Sequence, residues 1–290
     1  MASQEIKIFT LEDFDLKGKV KSCTIIASYG KEELNFDKNG LLTKLVTRYN
    51  ESDYDINHYK YQNEYLIEKR LENYRDGKFD ETTSIANFYT IDTSASKKIT
   101  EKIYSYTKEF LDQYEYIYDL DGKLKTIKRT SNNGIDETAV EYTEYKGEST
   151  QTYFLNGVIK KVNRTSEKIK RGKKQRIVLF KEYIDGKPHK AIEELYDDTN
   201  KLVSKTFFGT DVKTSRFAAD KTEFFEYNEN KILTKVKTKT KKTTSAKEYI
   251  HQFDGENGNW VKQIITPDNT YITRKIEYFP EEESKEVVKE

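Results

Sequence analysis

The sequence is poor in the residues that punctuate or staple a fold, with one cysteine, three prolines and 13 glycines in 290 residues. The lone Cys23, in "KSCTI", can form no internal disulfide. No apolar run precedes it and no histidine lies nearby in sequence, so it reads as a small buried hydrophobe in a strand rather than a reactive or lipid-bearing thiol. The few prolines and glycines are scattered and mark no linker or hinge, which favours a single domain over 1–290. No run approaches 18 apolar residues, which excludes a helical span, and the chain is expected not to cross a bilayer. An excess of one charge is also missing. The net charge of +1 gives no global pull toward nucleic acid or a membrane surface.

Aliphatic residues are scarce as well. Leu, Ile, Val and Phe together number 67, close to the roughly 20% below which chains tend to be disordered. Charged residues, at 35%, exceed the roughly 25% of ordinary globular chains. Order must therefore come from elsewhere, and the 22 tyrosines and 15 phenylalanines supply it. Aromatic rings bury large areas and pair well across strands. Many Tyr, Thr, Ile and Lys over a thin core describe a sheet with two partly wet faces.

A repeat organises these residues. Ten-residue segments starting at Phe36, Tyr118, Tyr153, Tyr196 and Tyr227 align without gaps ("FDKNGLLTKL", "YDLDGKLKTI", "YFLNGVIKKV", "YDDTNKLVSK", "YNENKILTKV"). Position one is aromatic and positions four and five carry turn residues. Position seven is aliphatic, at Leu42, Leu124, Ile159, Leu202 and Leu233. Shorter variants start at Tyr74 and Tyr183, and a longer one, "FDGENGNW", starts at Phe253. Asn-Gly and Asp-Gly between alternating segments are a strong hairpin signal. The flanks alternate with period two, as in "KVKTKTKK" and "QYEYIY". The stretch 97–110 admits a helix or a strand, and strand is the expectation. The predicted fold is all-β with little or no helix: an extended twisted antiparallel sheet of consecutive long β-hairpins, open at its edges. Residues 1–15 are expected to form a lead-in and 281–290 an acidic flexible tail.

The pattern aromatic-Asp-x-Asx-Gly-x-Leu resembles the YD-repeat, Rhs-related family. The stretch "DGENGNWVKQIITPDNTYITRKIEYF", Asp254 to Phe279, is similar to the closing segment of small YD-repeat-like proteins exported by Gram-negative bacteria. The chain departs from large Rhs proteins: it is too short for their cocoon-like shell and has no toxin domain after the repeats. The resemblance implies structural motif residues and no catalytic set. The start "SQEIKIF" resembles a mature start in exported proteins of the Bacteroidetes, with "MA" in place of a removed leader. It implies a periplasmic or outer-membrane-associated protein, with a cytoplasmic one as the alternative. Membrane association is expected only through a partner or through that leader.

Chemistry-bearing constellations are few. His58, His189 and His251 lack metal-ligand spacing; His58 and His251 read as half-buried strand residues and His189 as a turn residue after Pro188. "DGENGN" has the composition of a calcium loop without its spaced acids and reads as a turn. No phosphate loop, dinucleotide fingerprint or nucleophile elbow is present. The expectation is a non-enzymatic protein with no cofactor and no metal. "KIKRGKK" reads as a hairpin end at Gly172, and "KVKTKTKK" as a strand with Lys235, Lys237, Lys239 and Lys241 on one face beside acidic strands such as "TEFFEY". Those four lysines are the candidate partner-binding face. Such a face more often serves as a solvated, edge-guarding surface. The function expected is binding or scaffolding of a protein partner at the cell envelope, not of nucleic acid. The alternatives are an immunity protein that neutralises a cognate toxin and an envelope carrier of a lipid or glycan. A degradative enzyme would need a cleft with clustered acids. Sequence leaves the oligomeric state open.

Overall fold

A computed structural model describes residues 6–280 apart from Arg171, Val212 and Glu256. The expected acidic tail, 281–290, lies outside the described residues. Twenty strands account for most of the chain: β1 (Val20–Ala27), β2 (Gly30–Phe36), β3 (Leu42–Arg48), β4 (Tyr54–Gln62), β5 (Tyr65–Arg75), β6 (Lys78–Asp92), β7 (Lys98–Ser105), β8 (Phe110–Tyr118), β9 (Leu124–Ser131), β10 (Gly134–Tyr145), β11 (Glu148–Leu155), β12 (Val158–Lys170), β13 (Lys173–Ile184), β14 (Lys187–Tyr196), β15 (Leu202–Thr210), β16 (Phe217–Tyr227), β17 (Leu233–Thr240), β18 (Thr244–Phe253), β19 (Trp260–Thr266) and β20 (Thr270–Tyr278). One 3-10 turn, Leu11–Phe14, precedes them. Within the 97–110 stretch, 98–105 is strand, as expected, and 106–109 is a turn into β8; Cys23 is fully buried in β1.

Each strand pairs antiparallel with the next, and β20 pairs back onto β1, with Ile276 opposite Cys23 and Arg274 opposite Ile25. The fold is a closed up-and-down barrel, which corrects the expected open sheet. The reason lies in the register shifts. A β-bulge falls at Phe36, Tyr61, Tyr118, Tyr196, Tyr227 and Phe253, each the last aromatic of its strand. A bulge bends its strand and adds twist. Repeated around a meander, that curl brings the two edges together, and pairing them satisfies the backbone groups that open edges would leave free.

The structure also divides the repeat. The copies at Phe36, Tyr118, Tyr196 and Tyr227 join an even-numbered strand to the next, so all four lie at one end of the barrel, here the near end. Their second residue builds the turn. Asp37, Asp119 and Asp197 each accept two backbone N–H groups through one carboxylate oxygen, at 2.8–3.0 Å, and Asn228 accepts one. Their fifth residue, Gly122 for example at φ +75°, is left-handed. The copy at Tyr153 lies at the far end. There Asn156 and Gly157, at φ 48° and 82°, make a two-residue turn, and Phe154 replaces the acid. Tyrosines also tie successive hairpins. The hydroxyls of Tyr61, Tyr142 and Tyr227 donate to the carbonyls of Leu42, Leu124 and Leu202, the position-seven residues of the preceding near-end hairpins, at 2.9–3.0 Å.

Strand register carries one face around the ring: Cys23, Leu34, Leu45, Asn57, Leu71 and Ile85 stand opposite one another in turn. The N-terminal segment shows that this face points inward. Phe14 meets Phe36 on β2, and Arg274 on β20 donates to the Phe14 carbonyl at 2.9 Å. Phe9 meets Tyr59 on β4, while Ile6 packs on the cluster of β7–β11 and lines a cavity with Tyr153 and Asn163. A segment of this length reaches about 36 Å fully extended. It can touch strands on both sides of the ring only from within. Residues 6–15 of the expected lead-in, together with Leu16, are thus an internal strut.

The strut completes a core with Leu16, Val20, Cys23, Leu34, Phe36, Leu42, Tyr59, Leu66 and Tyr89. Ile99, Tyr116, Tyr118, Leu124, Ile127, Val140 and Tyr153 form a second cluster beside it. Beyond β11 the inward face stops closing. The only buried hydrophobics of β12–β19 among the described residues, Leu179 and Ala191, point outward. A round ring of this many strands would be about 40 Å across, more than side chains from its wall can fill. The result is a barrel packed on one side and hollow on the other.

The closing segment that carries the family resemblance is the seam of the ring. Asn259, 2% exposed, holds Lys17 through both its backbone groups at 2.8–2.9 Å and donates to the Tyr278 hydroxyl at 2.8 Å. Tyr278 in turn donates to Asp254. Arg274 lies over the Trp260 ring at 3.5 Å and grips the strut at Phe14 and Asp15. Replacing Asn259 with Ala removes both of its bonds to the Lys17 backbone and its bond to Tyr278. The expected loss is about 1–3 kcal/mol in a denaturant titration, and an unchanged midpoint would show that the clamp does not hold the seam.

Tyrosine burial sets a pH limit. The Glu101 carboxylate, 8% exposed, accepts from Tyr89, Tyr116 and Asn87 at 2.9, 2.8 and 2.6 Å. Burial first, then Glu101, pushes Tyr89 and Tyr116 well above the usual phenol value, and burial does the same to Tyr61. Burial also pushes the Cys23 thiol up to about 11. In all four the folded state holds its proton longer than the unfolded one. Their stabilisation is complete below the unfolded value and is lost as pH rises above it. The denaturation midpoint should therefore fall from about pH 9 upward, where free thiols and then phenols begin to ionise. Tyrosinate absorbance should rise together with unfolding. Ionisation of all tyrosines without loss of structure would contradict the burial.

Candidate functional site

The outer wall is charged in the middle of its strands. Lys44, Arg70, Lys102, Lys128, Glu141, Arg164, Lys237 and Lys275 all point outward. Many pair across strands, as in Arg48–Glu33 at 3.1 Å, Arg164–Glu148 at 3.2 Å and Lys98–Glu115 at 3.6 Å. A membrane barrel needs an outward apolar band about 25 Å tall, and Arg or Lys at its middle costs about 2–4 kcal/mol each. This wall is built for water. No helix among the described residues is long and apolar enough to cross a membrane.

The sequence-predicted lysine face lies on this wall. Lys235, Lys237 and Lys239 share the outer face of β17. Lys235 pairs with Glu248 at 3.0 Å, and that hydrogen bond raises its pKa. Lys237 stands between Phe224 and Ala246, and Lys239 between Thr222 and Thr244. Lys241 departs from the expectation: β17 ends at Thr240, and Lys241 lies in the turn, 3.9 Å from Asp220. The strand face thus has three lysines, one of them neutralised.

The histidines divide. His58 and His251 lie in β4 and β18, part-buried as expected; His251 contacts Trp260 and Gln263, and burial lowers its pKa. His189 is exposed in β14 rather than in a turn, because the hairpin turns earlier, at Asp185 and Gly186. Among the described residues no group of three or more His, Cys, Asp or Glu could hold a metal. Asp254, in the loop compared with a calcium site, instead accepts from the Asn259 backbone at 2.8 Å.

The inward face offers a better-formed site. A cavity of about 450 Å³ lies against β8–β12, lined by Asp112, Tyr114, Arg129, Asp136, Thr138 and Tyr153 among others. Register brings these together: Tyr114 stands opposite Arg129, and Arg129 opposite Asp136. The Arg129 guanidinium is bidentate to Asp112, at 2.8 and 3.2 Å, and 4.0 Å from Asp136. The Asp112 hydrogen bond raises the Arg129 pKa. Burial, partly offset by Arg129, raises that of Tyr114. A second cavity, of about 510 Å³, adjoins it at Tyr153 and Lys161 and is bounded by Ile6, Lys7 and Ile8 of the strut. Lys161 lies over the Tyr153 and Phe180 rings at 4.7 and 5.3 Å. A bulge at Tyr153/Phe154 leaves Lys160 unpaired with the neighbouring strand and turns it into the chamber beside Lys161.

Sequence reasoning missed this chamber. The alternation of Tyr114, Tyr116 and Tyr118 revealed a tyrosine face, but nothing in it says that the face looks inward. Asp112, Arg129 and Asp136 come from three strands, and only the register joins them.

No family model matches the chain, and no curated protein does. Among solved structures it is similar to a porin-like protein from Bacteroides uniformis, at 9% identity and a TM-score of 0.28, over 90% of this chain and 99% of that one. A porin-like protein from Bacteroides vulgatus matches at 9% identity and 0.25, over 90% and 98%. A protein of unknown function from Bacteroides fragilis matches at 11% identity and 0.22, over 59% and 91%. Likeness at this level fixes neither activity nor location.

Proposed function

We propose that this is a non-enzymatic binding protein that carries its ligand inside the barrel, with the outer wall in water. The observation that supports this most is the inward chamber at Tyr114 and Arg129, where a part-buried tyrosine and paired polar groups share one concave site. The reading moves the working surface from the outside, where the lysine strand placed it, to the inside. It follows the carrier alternative, which asks for a curved sheet with an apolar groove: the barrel wall is curved, while the chamber's lining is mixed polar and aromatic, which favours a polar ligand over a lipid. The cell envelope implied by the resemblances suits such a carrier and stays part of the proposal. A second reading keeps a macromolecular partner on the outer wall, and Lys237 and Lys239, flanked by uncharged residues, favour it.

Two variants separate the readings. Thr138→Trp fills the chamber, and Lys237→Glu with Lys239→Glu reverses the outer strand. The full chain, incubated with a cell extract and desalted, is weighed by native mass spectrometry. The carrier reading expects a small-molecule adduct that Thr138→Trp removes and the lysine variant keeps. Loss of a protein partner in the lysine variant, with Thr138→Trp without effect, would overturn it.

A further inference from the structure

We infer that the outer wall carries a second site, a cleft on β5–β7 that takes a neutral oligosaccharide. This goes beyond the carrier reading and does not depend on it. The cavity there, about 530 Å³, is larger than either inward one. Register sets Arg70, Ala86 and Tyr104 opposite one another on the outward face. Glu72, Phe88 and Tyr106 follow two residues further along, on the same face. Ala86 is the one small residue among the six, so it makes the floor and the others make the walls. The ladder also breaks beside it. Leu71 pairs with Ile85 but Asn73 with Asp80, so residues 81–84 leave the β5–β6 pairing. Asn73 holds them through the Ser84 hydroxyl and the Thr83 carbonyl at 3.0 and 2.9 Å. The cavity lies at this break, on a wall that is otherwise convex.

The walls present rings to solvent: Phe88 is 37% exposed and Tyr106 52%. Phe88 meets Tyr104 at 6.0 Å, Tyr104 meets Phe110 at 6.1 Å and Tyr106 meets Phe79 at 4.4 Å, all edge to face. Such contacts fix rings without stacking them on one another. Grouped exposed rings on a wall built for water mark a binding surface. A pyranose with equatorial hydroxyls fits it, because its flat C–H faces lie on rings while its rim donates and accepts. The rim meets the Glu72 carboxylate, an acceptor, and Arg70, which gives Nε to Glu68 and has further N–H donors. Charge selects a neutral chain. Glu68 offsets Arg70, and Glu72 and Lys108 in the cleft offset one another. An apolar peptide side chain would strip water from Arg70 and Glu72 without replacing its hydrogen bonds. Sugar hydroxyls replace them.

The test is calorimetric titration of the full chain with cellotetraose and xylotetraose, with tetragalacturonate as the acidic counterpart and decaproline as an uncharged peptide. A neutral sugar should bind with an affinity that salt leaves unchanged. Ala86→Trp fills the floor and should abolish binding. Phe88→Ala and Tyr106→Ala, at exposed positions outside the core, should each weaken it at least about ten-fold. Thr138→Trp, in the inner chamber, should leave it unchanged, which separates this site from the carrier reading. Binding lost in Thr138→Trp and kept in Ala86→Trp would put the sugar inside the barrel and overturn the outer site. Equal binding of tetragalacturonate would overturn the neutral class. Binding of decaproline in place of the sugars would overturn the saccharide, and binding of no probe at about 10 mM would overturn the site itself.

Discussion

Every other feature depends on the pairing of β20 with β1. An open sheet of twenty strands would present two long edges of unpaired backbone groups, and a water-facing edge of that kind pairs with whatever meets it. Closure removes both edges at once. It also creates an inside, and so turns two equivalent wet faces into a wall and a lumen. The seam carries its own lock: Asn259 holds Lys17, Arg274 holds Phe14 and Asp15, and the strut those bonds anchor fills one side of the ring. Without that strut, Cys23, Leu34 and Leu42 would look into open space.

This arrangement accounts for the composition. A barrel with a packed side and a hollow side needs few aliphatic residues, because only the strut and the strands around it form a core. On the hollow side, charge pairs and rings share the inward face: Lys205 with Glu194 at 2.8 Å, Lys190 with Glu182 at 3.0 Å, Arg176 over Tyr196 at 4.1 Å. Such partly exposed pairs add little stability one by one. Their effect is to keep a polar lumen ordered.

The repeat made the strands and their turns legible in sequence. Asp-Gly and Asn-Gly dipeptides placed the hairpins, and period-two alternation gave the all-β class. Closure was not legible, because it pairs β1 with β20, at opposite ends of the chain, and depends on the summed curl of bulges that each shift register by one residue. Lys60 against Tyr61 shows the difficulty: nothing local says that their register breaks there. The repeat also concealed two turn classes, since "YFLNG" and "YDLDG" align well while Phe154 and Asp119 play unlike parts. The site was less legible still. The lysine strand stood out because its signal is local, within eight residues. The chamber draws two residues from each of β8, β9, β10, β11 and β12, and each looks ordinary alone.

The most direct measurement uses the lone cysteine. Cys23 on β1 stands opposite Ile276 on β20, across the seam. In the Ile276→Cys variant, oxidised during refolding, a closed barrel predicts an intramolecular disulfide joining the two ends of the chain, found as one linked peptide after digestion. A monomeric, folded variant whose two thiols stay free under the same conditions would contradict closure, and with it the lumen.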